Sequence, residues 1–227
     1  SGTVNVSLDG GLMQHALEEM KVQTGDRIST GNDGAASLTF ADGTRMRLDE
    51  QTEVTISEST QGSEESRFDV TLEKGSLWVK TPSIETLSGT LLRTVSLPTI
   101  TYSFPTDAEA LVRQDVILVF SGEGEGVSVT AEGRNTPFSI GEGQQWTVPS
   151  GGTVSGDPLR FRSAIDPLVA QSSFVLSSRS GGTASTGTGT SLPGSGTDII
   201  SVTSPTDNQT VTTATVKVQG TIGENVD

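Results

Sequence analysis

Along residues 36–56, ASLTFADGTRMRLDEQTEVTI, apolar and polar residues alternate, break at Asp42-Gly43, and alternate again. Successive side chains of a strand point to opposite faces, so a period of two marks a half-buried strand. Asp and Gly both tolerate the positive φ of a tight turn, which makes this pair a strong hairpin signal. The pattern predicts strands over 35–40 and 44–49, with Leu38, Phe40, Met46 and Leu48 on one buried face. The same reading predicts strands over 3–8, 53–57, 67–72, 76–80, 99–104, 116–120, 127–131, 137–140 and 145–148. Turns fall at Asp9-Gly10-Gly11 and Glu73-Lys74-Gly75, and 121–126 is a loop. Residues 12–22, LMQHALEEMKV, place apolar residues nearer helical spacing, so a short helix and a strand both stay open there.

Short strands between glycine corners predict an all-β fold, a roll or solenoid-like stack of ribbons, over residues 1–156. Residues 157–179 differ in character and predict a capping segment with a short helix from Pro167, where Asp166 is the N-cap. Residues 180–196 have the Gly/Ser/Thr composition of a linker. Residues 197–227 alternate again and are similar to the opening strands of bacterial immunoglobulin-like surface modules. A whole module needs about 80–100 residues, so this segment predicts a partial one. The chain starts at Ser1 without a signal-peptide pattern and is expected to be a mature or excised segment.

Composition narrows the function. The 227 residues carry a net charge of −14, and such a surface repels phosphate backbones, which argues against nucleic-acid binding. No apolar run reaches the roughly 18 residues of a membrane span. There is no cysteine, hence no disulfide, thiolate zinc site or thiol nucleophile. His15 is the sole histidine and would have to anchor any triad or pH switch; a surface residue is the plainer reading. The pairs Glu18-Glu19, Asp49-Glu50 and Glu64-Glu65 are sequence neighbours, which diverge in a strand rather than converge as an acid/base pair. No catalytic residue and no cofactor is therefore expected. Calcium is a weak candidate at Asn32-Asp33, Asp42, Glu123/Glu125 or Asp207-Asn208, none with the spacing of a known calcium loop. Trp78 and Trp146 fall in predicted strands and are expected to fill core or a sheet face; Arg160, Phe161 and Arg162 are candidates to cap the roll or dock a partner.

The stretch VQTGDRISTGNDGAASLTFADGTRMRLDEQTEVTI, followed by FDVTLEKGSLWVKTP, resembles the FecR domain family. The residues that carry the resemblance are Gly25-Asp26, Thr30-Gly31, Asp42-Gly43-Thr44, Leu48, and Leu72 to Leu77 around Gly75. ITYSFPTDAEALVRQD at 100–115 and IGEGQQWTV at 140–148, with its Gly143, are similar to later segments of the family, which extends the resemblance over about 3–149. Gln114-Asp115 stands where the family has Gly-Thr. The resemblance implies an extracytoplasmic, non-enzymatic domain. Gly25, Asp26, Thr30, Gly31, Asp42, Gly43, Gly75 and Gly143 are then its fold-defining turns. Two roles follow. The first is a scaffold or protein-interaction module of a bacterial cell surface, self-assembling into filaments by strand exchange, with Val202, Val211, Val216 and Val218 in the partner strands. The alternative is a periplasmic signal-sensing regulator, like the family's anti-sigma regulators of iron uptake.

Overall fold

The alternation along the chain closes into two stacked sheets. In the computed structural model, residues 2–17, 20–83, 88–149, 161–162, 164–179 and 216–218 are described, with backbone alone for 161–162 and 216–218. One sheet runs from edge to edge as Gln14–His15 (β2), Val4–Ser7 (β1), Arg27–Thr30 (β4), Glu53–Gln61 (β7), Glu65–Lys74 (β8), Thr90–Leu97 (β10), Ile100–Ser103 (β11), Val127–Ala131 (β14) and Phe138–Ile140 (β15). The other runs Ala36–Thr39 (β5), Arg45–Leu48 (β6), Ser76–Lys80 (β9), Glu109–Arg113 (β12), Val116–Ser121 (β13), Gln145–Thr147 (β16) and Phe161–Arg162 (β17). Position across each sheet follows chain order almost without exception. The chain lays a ribbon in one sheet, crosses to the other, and returns one step further on, which is the coil of a roll. All pairings in the two sheets are antiparallel except β8 with β10.

Between the sheets lies one apolar core that includes Leu38, Phe40, Met46 and Leu48, together with Val54, Phe68, Leu72, Tyr102 and Trp146. The outer face of the seven-stranded sheet carries a second cluster. Trp78, Leu111, Val116 and Leu118 project there from β9, β12 and β13 and are covered by Phe174 and Val175. The cover is a strap of two short helices, Pro167–Ala170 (α1) and Ser173–Arg179 (α2). Pro167 opens α1, and the Asp166 carboxylate accepts from the Leu168 amide at 2.9 Å. Replacing Asp166 by alanine should cost about 1 kcal/mol, seen as a lower denaturation midpoint.

Of the two readings open for 12–22, the described residues take the strand. They hold β2, two exposed residues at the sheet edge, and Met20–Val22 (β3), which pairs antiparallel with Val216–Val218 (β18). The helical spacing had no surface to pack on: Leu12 is 93 % exposed and Leu17 69 %. β4, β10 and β12 are strands that the period of two does not mark. Residues 180–196 and most of the immunoglobulin-like stretch lie outside the described residues.

Tyr102, on β11, is wholly buried, and burial pushes its phenol well above its ordinary pKa. Its hydroxyl has no hydrogen-bond partner among the described residues. Tyr102→Phe should therefore gain about 1 kcal/mol. Above pH ~10 the unfolded phenol releases its proton while the folded one keeps it. The parent should lose stability as pH rises through that range, and the phenylalanine variant should lose less. Denaturation midpoints at pH 8 and pH 11 check both statements.

Candidate interaction surface

The turn residues sit where the chain passes between ribbons, and their side chains tie neighbouring segments together. Gly25 has φ 93°, and its amide donates to the Ile56 carbonyl at 2.8 Å. The buried Asp26 carboxylate accepts from the Asp9 amide at 2.9 Å and the Gln23 amide at 2.7 Å. Thr30 Oγ1 accepts from the Thr52 amide at 2.8 Å and donates to the Asp49 carbonyl at 2.6 Å. The Gly31 amide reaches the Thr3 carbonyl at 2.7 Å. Gly75, with φ 88°, lies against Thr52, whose hydroxyl accepts from the Ser76 amide at 3.0 Å. Gly143 has φ 72° and donates from its amide to the Val119 carbonyl at 2.9 Å.

Asp42 does more than turn the hairpin beside Gly43 (φ 91°). Its carboxylate accepts from the Thr44 amide at 2.9 Å and the Thr44 hydroxyl at 2.6 Å. It also accepts from Arg93 Nε at 2.6 Å, with both side chains essentially inaccessible to water. The pair joins the β5–β6 turn of one sheet to β10 of the other. Asp42 is thereby withdrawn from the calcium candidates: its charge is neutralised by Arg93 and it faces no solvent. Asp207-Asn208 lies outside the described residues, and no group of three His, Cys, Asp or Glu that could hold a metal occurs among those described.

His15 lies on exposed β2, opposite Asn5 of β1. Asp49 is half-buried, and burial raises its pKa, countered in part by the Glu50 amide that it accepts. Trp78 and Trp146 are each only 2 % exposed, so neither ring offers a platform to a ligand. Trp146 stacks edge-on against Phe138 with centroids 5.0 Å apart. Phe161 and Arg162 form β17 against β16, and Arg160 lies outside the described residues. None of these groups is assembled for proton transfer or nucleophilic attack.

What the molecule does present is apolar surface at one end. Leu8, Leu12, Met13 and Leu17 are exposed in the segments that flank β2 and lead into β3. Sequence reasoning left this segment open between helix and strand, and their exposure in the structure is what marks these residues as surface. Leu168 and Leu176 are exposed on the helical strap. Val216 and Val218 pair with Val22 and Met20 of the same chain, while Val202 and Val211 lie outside the described residues. β18 also runs beside β5, the edge strand of the seven-stranded sheet.

Two stacked β-sheets and a buried charge clasp between them define a β-roll. A family model described as FecR protein matches residues 26–101, the ribbons from β4 into β11. The match stops short of most of the 100–115 segment and of the 140–148 segment. Two crystal structures of a protein provisionally described as an anti-sigma factor from Parabacteroides distasonis are similar, at 15 % and 14 % identity and a TM-score of 0.46 each. In both comparisons 61 % of this chain is covered, and the chain spans 59 % of the other protein. The all-β architecture rests on the two sheets themselves. Comparison with curated proteins found no match. Among the described residues no helix is long and apolar enough to cross a membrane.

Proposed function

We propose that this chain is the extracytoplasmic, protein-binding part of a FecR-type signalling regulator. The observation that carries the reading is the FecR match over 26–101, because those residues include the Asp42–Arg93 clasp and the turns that shape the roll. The same match favours the regulator over a cell-surface scaffold or filament, for which self-association would be needed. The chemistry agrees with a binding role: Asp26 and Asp42 are tied into turns, Glu53 and Glu109 are held in ion pairs, and His15 stands at an edge without an acid beside it in the pairing register. Regulation of this kind requires affinity for another protein whose state is being read, and a rigid roll with apolar residues at one end supplies a surface for it.

Transcript profiling of a strain lacking the protein tests this directly. The expected result is a change confined to a small gene set that includes an outer-membrane receptor, restored by supplying the full-length protein. A transcript profile identical to that of the parent strain, under both iron-replete and iron-limited growth, would remove the regulator reading.

A further inference from the structure

We infer that β3 is a strand-acceptor site which the chain's own residues 216–218 occupy and from which a partner protein's extended strand displaces them. This deepens the regulator reading above and rests on it.

β3 belongs to neither large sheet; among the described residues its ladder partner is β18. β18 runs beside β5, where the seven-stranded sheet ends. An extended segment seated there therefore covers strand edges that would otherwise present unpaired amides and carbonyls, the feature that recruits a strand from another chain. Among the described residues, Val216, Lys217 and Val218 fill the place. Along the chain, residues 180–215 separate this strand from α2. A segment joined in this way competes as an intramolecular ligand and can be outcompeted by a better one.

The register shows what a better one would be. Val216 pairs with Val22 and Val218 with Met20, while Lys217 stands directly opposite Lys21. Val22 is fully buried in the core, and Lys21 is exposed. Like charges at directly opposed positions weaken a ladder, and opposite charges strengthen it. The favoured occupant is a strand with β-branched residues on either side of one acidic residue, the acidic residue opposite Lys21. Its apolar flanks would stand opposite Val22 and Met20. The internal strand carries the wrong charge for tight closure. This suits a competitor that a partner must be able to remove.

The test uses the full chain and two fluorescein-labelled peptides spanning residues 211–222, one unaltered and one with the Lys217→Glu change, read by fluorescence anisotropy. The altered peptide should bind about fivefold more tightly than the unaltered one. In the double variant Val216→Pro and Val218→Pro, which cannot complete the internal ladder, binding of the altered peptide should tighten by about tenfold or more. Lys21→Glu should reverse the preference between the peptides. Circular dichroism of each variant should match that of the parent, since these residues lie at an edge. Equal binding by the proline variant and the parent, or an unchanged preference after Lys21→Glu, overturns the proposal. Oligomers of the parent that vanish in the proline variant would make a second copy the occupant and overturn the choice of a foreign strand. Peptide results as expected with an unaltered transcript profile would leave the strand site standing and remove the regulator reading; the reverse outcome would do the opposite.

Discussion

Replacing Arg93 by alanine is expected to destabilise the fold by about 3–5 kcal/mol, a large share of the total for a domain whose stability is ordinarily about 5–15 kcal/mol. The reason is asymmetric. The guanidinium and the Asp42 carboxylate are both shut away from water at 2.6 Å, so removing one leaves the other charged and buried with this ion pair broken. Asp42 would keep its two bonds from Thr44, but those hold the turn and do not neutralise the carboxylate. Changing both partners together, Asp42→Leu with Arg93→Met, should recover part of the loss, because no orphan charge remains. Recovery should be incomplete, since Thr44 then loses its acceptor. Equilibrium denaturation of the three variants decides the matter. A loss below about 1 kcal/mol for Arg93→Ala would put the pair in the range of exposed ion pairs and end its role as the clasp between the sheets.

Gly75→Ala should cost about 3 kcal/mol, from two separate causes. At φ 88° an L side chain is strained by about 1–2 kcal/mol. A Cβ there would also stand 2.3 Å from Thr52 Oγ1 and 2.6 Å from Thr52 Cα, and overpacking of that kind costs about 1–3 kcal/mol. Gly25 separates the causes. It has φ 93°, yet a Cβ there would meet nothing within 4 Å, so Gly25→Ala should carry only the conformational part. Denaturation midpoints of the two variants should differ by the steric share. Equal losses would mean that the contact with Thr52 does not constrain the corner.

How legible these features were depends on where the pattern of two survives. It survives at β5 and β6, which alternate buried and partly exposed residues, and there the strands, their turn and their buried face follow from the residues alone. It fails at β12, where Ala110 and Val112 face the main core and Leu111 faces the cluster beneath the helical strap. A strand covered on both faces shows no alternation. β10 fails for another reason. Arg93, Val95 and Leu97 are its buried positions, and an arginine in that row reads as solvent-facing until its partner 51 residues away is known. Residues 12–22 left helix and strand open: their spacing is nearer helical, but Leu12 and Leu17 are exposed and the described residues include the short strands β2 and β3.

The amino-acid sequence by itself determined the β class, the Asp42-Gly43 hairpin and the Asp166-Pro167 helix start, because each depends on φ preferences and side-chain periods within a few residues. The tertiary structure alone decided the return of the chain between two sheets, the parallel pairing of β8 with β10, the Asp42–Arg93 clasp and the seating of 216–218 on β3. Those features bring together residues far apart along the chain, where the energy comes from shared burial and charge neutralisation and no local preference records the partner.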